Sequence, residues 1–466
     1  MQTNTAGSAA MTSRDRLRPH DVALDASPDG HLLIDGARAS DLVARFGAPL
    51  WVLSDATIRT NLSTIHEAFT HAPLRTRVVY ASKANPSPQV LQVVAAEGAM
   101  VDVASEGHAL LAERAGVHPS RLVVNGNCKT DSYLRWAVAS GVAAINIDST
   151  AELTKLIRQL DGRTVNVALR VATDLTRHHD DAGMLRSEME TKFGMSQDEV
   201  LRAIDRIGST DGLELAGLHH HLGFTAFDLE YSARLDLQRR RRVVEQLVDI
   251  AVHAREVAGS EIRVFNLGGG FRIATDTGYG PRGVTDMPAL GDSVAATAGH
   301  LDDLLRRHGL ATPEVWIEPG GFVTSNAGVF LAEVGIRKKV LLGRDERDWA
   351  FLERTSGYHF VRRLMVDMHH PVLAAARMNE PCSVLIDVAG STCAPDSVSQ
   401  PALLPDLRQG DLVALLDQGA YCESVSTEYC SFPVPASVIV RDGTAHQVRR
   451  RRTEADLVDD FAPLPH

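Results

Sequence analysis

The stretch RVVYASKANPSPQVLQVVAAEGAMVDVASEGHALLAERAGVHPSRLVVN, residues 77–125, decides the fold. It opens on a short β-branched run, Arg77-Val-Val-Tyr80, continues into an amphipathic stretch with helical period from Pro86 to Glu97, and returns to a second run, Ala99-Met-Val-Asp102. A further helical stretch, Glu106 to Ala115, leads to a third run, Leu122-Val-Val-Asn125. Ser105-Glu106 reads as a helix start, as does Ser149 to Glu152 downstream. Outward from this stretch the same alternation continues through Ala144–Ile147, Val165–Arg170, Leu215–His219, Arg263–Leu267 and Glu314–Ile317. Apolar strand and amphipathic helix alternating eight times predict a closed parallel (β/α)8 barrel. An open doubly wound sheet is the second choice.

After about residue 328 the texture changes. Val329–Val334, Cys382–Asp387, Asp411–Leu416 and Ala436–Val440 read as strands with turns and little helix between them, which predicts a separate C-terminal β domain. His31-Leu-Leu-Ile34 is strand-like and precedes the barrel. The expected organisation is residues 1–48 as an N-terminal tail with strands joining the β domain, 49–327 as the barrel, and 328–466 as the β domain. Two domains suit a chain of 466 residues.

Composition narrows the function classes. The chain is 44% hydrophobic and 23% charged, as soluble globular proteins are, and no apolar run is long enough for a membrane span. Its net charge of −11 argues against nucleic acid as a partner. The basic runs Arg239–Arg242 and Arg449–Arg452 read as solvated faces. The first twenty residues are polar and lack a signal-peptide core, so they read as a frayed tail. Five unevenly spaced cysteines form no disulfide framework, which points to a reducing, cytoplasmic setting.

Chemistry-bearing residues fall at the C-terminal ends of seven of the eight strands, the rim where barrel active sites lie. Lys83 follows the first strand, Asp102 ends the second, and Asn127 and Lys129 follow the third. Arg170 ends the fifth, His219, His220 and His221 end the sixth, Gly268, Gly269 and Gly270 follow the seventh, and Glu318 follows the eighth. Lys83 sits behind an apolar strand, where partial desolvation would free its amine for attack on a carbonyl. Three successive glycines let backbone N–H groups approach a phosphate, although a simple turn is the ordinary reading of such a run on its own. Adjacent histidines on a strand point to opposite faces, and no acidic or cysteine cluster accompanies them, so no metal is expected.

Taken in order, these motifs resemble the PLP-dependent decarboxylases of the diaminopimelate and ornithine type, from about residue 40 to residue 460. The carriers in the barrel are Tyr80-Ala-Ser-Lys83-Ala-Asn, Val101-Asp-Val-Ala-Ser105, Thr191-Lys-Phe-Gly194, Gly217-Leu-His-His-His-Leu-Gly223, Asn266-Leu-Gly-Gly-Gly-Phe271 and Glu318-Pro-Gly320. In the second domain they are Gly390-Ser-Thr-Cys393 and Gly419-Ala-Tyr421. The resemblance implies an alanine-racemase-like barrel and pyridoxal 5′-phosphate carried covalently on Lys83. It implies that Glu318 pairs with the pyridine nitrogen, that His221 stacks on the ring, and that Gly268, Gly269, Gly270, Gly320 and Tyr421 hold the phosphate side, with Asp102 and Arg170 also lining the cofactor. It further implies that Cys393 acts as general acid, supplied by the partner subunit of a head-to-tail homodimer, and that Arg362 and Tyr421 face the substrate, where Asp396 would join them only as a stand-in for the acid that the family carries directly after the cysteine.

The chain departs from the family's pattern at substrate-facing positions. Gly321 replaces an arginine, Ala394 an acid, Phe224 a serine, His108 a glutamate and Val366 a tyrosine. Asp396 and Thr225 stand near enough in sequence to substitute for two of these. A pocket whose polar anchors are missing rejects the ligand they served, because each unmatched buried group costs about 1–3 kcal/mol. The expected activity is therefore decarboxylation of a non-standard or conjugated amino acid in specialised metabolism. Diaminopimelate decarboxylation, a racemase on the same barrel, and a non-catalytic regulator are the alternatives.

Overall fold

The computed structural model describes residues 11–70, 72–172, 192–221, 233–270, 290–343, 345–360, 370–393, 398–399 and 401–462, without the side chains of 233–236, 290–291 and 342. The chain divides into two compact units. One is a closed barrel of eight parallel strands: β1 (Thr76–Ala81), β2 (Met100–Val103), β3 (Leu122–Val124), β4 (Ala144–Ile147), β5 (Val165–Arg170), β6 (Leu213–His219), β7 (Val264–Asn266) and β8 (Glu314–Ile317). β8 closes on β1 through the pairs Val315–Thr76 and Ile317–Val78. All eight expected strands form, and the open-sheet alternative falls because this last pairing exists.

The strands are short and nearly all apolar because both faces are covered. Inside, Val79, Met100, Val123, Ala144, Val264 and Trp316 form one buried cluster, so the barrel is filled rather than hollow. Outside, the helices start where side-chain caps allow. Ser105 Oγ accepts from His108 N ahead of Glu106–Arg114, and Ser149 Oγ accepts from Glu152 N ahead of Thr150–Ile157. Gly217 marks a close approach between β6 and β7: a Cβ there would lie 2.4 Å from the Val264 carbonyl oxygen. The β6–β5 register shifts between Leu215 and Gly217, which re-aims the end of β6 that carries the histidines.

The other unit is built on β-sheet. Its main sheet runs Ala402–Leu404, Val384–Ala389, Asp345–Leu352, Gly328–Leu342, Leu50–Ser54, Ala436–Arg441, Thr444–Arg449, with Val372–Ala374 and Leu412–Leu415 paired off that path. Leu50–Ser54 pairs with both Gly328–Leu342 and Ala436–Arg441, so residues 49–54, expected in the barrel, belong here. The reason is strand alternation: Leu50 and Val52 face one apolar cluster with Leu32, Ile34 and Val329, while Trp51 faces a second with Phe330 and Phe360. The N-terminal segment also differs from expectation. From residue 11 it is tied down rather than frayed, by Arg14 N to Met378 O, Cys382 N to Met11 O, and a bridge between Thr12 and Pro381. Among the described residues no helix is long and apolar enough to cross a membrane.

Candidate active site

The barrel rim gathers its polar groups around Glu318, which is 3% exposed. The acid follows β8, and its backbone is held by Glu318 N donating to Gly268 O at 2.7 Å. Asn266 Nδ2 and Asn125 Nδ2 donate to Glu318 Oε1 at 2.8 and 3.2 Å. His219 Nε2 lies 3.4 Å from Glu318 Oε2, within ion-pair range but outside hydrogen-bond geometry. Burial pushes the Glu318 carboxyl up, and His219, His221 and the Asn266 donor outweigh it, so the group is held below the usual carboxylate range. His219 is itself driven toward its neutral form by burial. His221 is likewise neutral, so neither ring supplies a lasting positive charge, and we take the two amide N–H donors, which act whatever the state of either histidine, as what keeps Glu318 ionised.

Asp102 is the second buried carboxyl of the rim. Asn125 Nδ2 donates to its Oδ1 at 2.7 Å, and Asn146 Nδ2 in turn donates to Asn125 Oδ1 at 2.8 Å. Burial first, and the charge of Glu318 second, push Asp102 up to about 7, against the opposing effects of Lys83 and Asn125. Two carboxyls in one dry site thus divide into an ionised Glu318 and an easily protonated Asp102. Of this asparagine ladder the sequence motifs mark only Asn266, which opens Asn266-Leu-Gly-Gly-Gly-Phe271. Its signal was present: Asn125, Asn146 and Asn266 are amides at the ends of otherwise apolar strands.

A carboxyl with a raised folded-state pKa binds its proton more tightly folded than unfolded. The stability Asp102 contributes is therefore complete below its ordinary value of 3.8 and is lost as pH rises toward about 7. Asp102→Asn keeps an oxygen for Asn125 and removes this loss. We expect the cofactor-free variant to be more stable than the parent at about pH 8, with the difference vanishing near about pH 4. Thermal melts across that window check it, and identical pH slopes would refute the assignment.

Lys83 stands in the turn after β1. Its neighbours Ser82 and Ala84 are buried, but the lysine is exposed, so the desolvation expected from the apolar strand does not occur. The strand has ended, and the turn presents the side chain to solvent while its backbone stays fixed. Ser82 N donates to Asp102 O, Ala84 N donates to Ala81 O, and Ser82 Oγ lies 3.1 Å from His108 Nδ1. The Lys83 charge acts on both Asp102 and His221.

The histidine triplet divides as strand alternation requires. His219 faces Glu318, whereas His220 turns its Nδ1 to the Val171 carbonyl at 3.1 Å and is pushed down to about 3, by burial above all. His221 is pushed well down by burial, then by Lys83 and Arg170, which leaves it a neutral ring. The glycines that follow β7 form a cradle no other residue could build. A Cβ on Gly268 would meet His220 O at 2.3 Å, and one on Gly269 would meet Glu318 O at 2.7 Å. Gly268 and Gly270 take φ of +66° and +89°. Arg170 lies 3.6 Å from Asp148, with its guanidinium over the Phe193 ring at 4.4 Å. Gly194 lets the backbone next to Phe193 approach Arg170 and Ala172, since a Cβ there would lie 2.8 Å from Ala172 N.

Lys129 proves to be structural. It is 3% exposed, and its Nζ donates to Gly126 O, Asn146 O and Glu152 Oε2 at 2.7, 2.6 and 2.9 Å, which uses all three N–H groups. Lys129→Met would strand the buried Glu152 carboxylate and should cost about 3–5 kcal/mol, with Lys129→Met/Glu152→Leu recovering much of it. Chemical denaturation of the three proteins checks this.

Cys393 and Tyr421 belong to the β unit. Cys393 is an exposed free thiol, and Tyr421 is half-buried with φ of +54°. Arg362 and Asp396 lie outside the described residues, as do Ala394, Phe224, Thr225 and Val366.

Comparison with known proteins bears directly on this rim. Residues 55–325 match the model of the pyridoxal-dependent decarboxylase pyridoxal-binding domain. The chain belongs to the pyridoxal-dependent decarboxylases. Within the family it is 31% identical to the diaminopimelate decarboxylase of Methanothermobacter thermautotrophicus, over 93% of this chain and 96% of that one. It is 30% identical to the Bacillus subtilis diaminopimelate decarboxylase, over 92% and 94%. Among solved structures, diaminopimelate decarboxylase from M. jannaschii in complex with L-lysine superposes at a TM-score of 0.80 with 25% identity, covering 97% of this chain and 99% of that one. This decarboxylase is therefore a PLP-dependent amino-acid carboxy-lyase of the diaminopimelate/ornithine type. Its rim fits the cofactor on its own evidence. A buried, ionised Glu318 suits a protonated pyridine nitrogen, His221 is a neutral ring, and the Gly268–Gly270 backbone is open to a phosphate.

Proposed function

We propose that this decarboxylase acts on an amino acid whose distal end differs from that of diaminopimelate, a non-standard or conjugated amino acid of specialised metabolism. Position 321 carries the reading. In the family's pattern an arginine follows Glu-Pro-Gly, whereas here Gly321 opens the four-residue helix Gly321–Thr324 and offers no side chain to an anion. Ala394 in place of an acid removes a partner for a distal amine. Both changes favour a substrate that is larger or less charged at its far end.

In this reading Lys83 Nζ would hold the cofactor covalently, a task for which an exposed amine is accessible. Glu318 holds a proton at the pyridine nitrogen. Bound PLP supplies the electron sink for the pair left when CO₂ departs. His221 stacks as a neutral ring, and Tyr421 holds the phosphate with Gly268, Gly269, Gly270 and Gly320, while Asp102 and Arg170 line the site and Arg362, Asp396 and Tyr421 face the substrate. Cys393 Sγ delivers a proton to the carbon that has lost CO₂. Its exposure in one protomer suits a thiol that serves the neighbouring site of a head-to-tail homodimer. All five cysteines are free, and a thiol acid suits a reducing compartment such as the cytoplasm.

The second reading, diaminopimelate decarboxylase of lysine biosynthesis, is favoured by the names of the relatives above. CO₂ release from PLP-loaded protein separates the two. We expect little turnover of meso-diaminopimelate, lysine, ornithine or arginine, and turnover of a lysine or diaminopimelate derivative acylated on its distal amine. Rapid turnover of diaminopimelate would overturn the first reading and establish the second.

A further inference from the structure

Arg18 lies in the N-terminal segment of the β unit and is 8% exposed. Its guanidinium forks onto two carboxylates. Nε and Nη2 donate to Asp21 at 3.0 and 2.8 Å, and Nη1 and Nη2 donate to Asp417 at 2.8 Å each. Asp21 closes a turn around the arginine: Arg18 N donates to Asp21 Oδ2, and Asp21 N donates to Arg18 O, both at 2.9 Å. Asn326 Nδ2 ties the same turn down through His20 O at 2.8 Å.

Asp417 follows the strand Leu412–Leu415 and takes φ of +60°. The next residues are tightly constrained. Gln418 N donates to Gly328 O at 2.8 Å, and Gly419 N donates to Ser325 O at 3.0 Å. A Cβ on Gly419 would lie 1.8 Å from Thr324 O. The segment then reaches Tyr421, also left-handed at φ of +54°. Non-glycine residues keep such backbone angles only where their surroundings over-determine them. A buried ion pair is a poor source of stability compared with apolar packing, but a bidentate guanidinium fixes a carboxylate in plane and direction.

We propose that Arg18 is a positioning residue for the cofactor phosphate: its fork on Asp417 fixes the turn 417–421 and thereby the placement of Tyr421. The inference rests on the reading of Tyr421 as a phosphate ligand. Arg18 touches neither cofactor nor substrate in this role.

The test is titration of the cofactor-free full-length protein with PLP, for the parent, Arg18→Met, Tyr421→Phe and the double variant, with thermal midpoints recorded beside each Kd. Arg18→Met should weaken PLP binding about tenfold, as loss of an orienting partner does, and the double variant should be no weaker than Tyr421→Phe alone. Arg18→Lys keeps the charge but not the fork. It should also lose affinity at a near-parental thermal midpoint, which decides the matter if Arg18→Met does not fold. Losses that multiply in the double variant, or parental affinity in a folded Arg18→Lys, overturn the inference and leave the Tyr421 reading standing. Parental affinity in Tyr421→Phe overturns that reading and the inference with it.

Discussion

Lys83→Ala should give a folded protein that no longer carries PLP covalently and has lost decarboxylation by about 10⁴-fold, in the range seen when a residue that bonds to the reacting system is deleted. The lysine is exposed, so truncating it removes little packing and should leave stability within about 0.5 kcal/mol. The turn that carries it does not depend on its side chain, being held by Ser82 N to Asp102 O, Ala84 N to Ala81 O and the Ser82–His108 contact. Its charge does matter to its neighbours. Lys83 holds Asp102 down and helps to push His221 down, so its removal should raise the first and release the second. Borohydride reduction followed by mass spectrometry checks the attachment, because the cofactor's mass should appear on the parent's Lys83 peptide and nowhere in the variant. A variant still labelled at another lysine, or still releasing CO₂ at the parental rate, would show that Lys83 is not the attachment point.

Glu318→Gln should bind PLP and lose about 10²–10³ in kcat, the scale of removing one preorganised charge from a dry site. The substitution conserves volume, and the glutamine oxygen can still accept from Asn266 and Asn125 at the positions Oε1 now holds. What disappears is the negative charge that, in the proposed reading, would hold a proton at the pyridine nitrogen. A second readout separates this from structural damage. Glu318's charge is the second cause of the raised Asp102 pKa, so Asp102 should titrate lower in the variant, and the pH dependence of apoprotein stability should shift to lower pH with it. Full kcat in a folded Glu318→Gln would remove the carboxylate from the mechanism. A lost kcat with an unmoved stability profile would show that the two carboxyls are not coupled.

Much of this site is legible along the chain because barrel strands place chemistry at a known end. Lys83, Asp102, Arg170, His221, Gly268, Gly269 and Glu318 all emerge at the C-terminal rim, where strand–helix alternation puts them. The division of the triplet into His219 and His221 on one side and His220 on the other follows from the period of two in a strand. Lys129 misleads for a related reason. It occupies a rim position, but whether its amine meets solvent or three acceptors depends on Glu152 and Asn146, which lie on other elements. Lys83, read as desolvated from its apolar approach, is exposed because the turn and not the strand sets its direction.

The sequence by itself determined the eight-fold alternation, the end of the barrel that bears the chemistry, the β-rich second unit and the family, since all of these rest on local periodicity and on motifs of a few residues. Only the tertiary structure decided which groups share a partner. Asn125 joins Asp102, 23 residues away, to Glu318, 193 residues away. Leu50–Ser54 joins a sheet whose other strands begin at residue 328. Arg18 meets Asp417 across 399 residues. Such contacts leave no period in the sequence. They exist because closing the barrel and the sheet removes these polar groups from water, where each must find a partner or bear the full cost of desolvation.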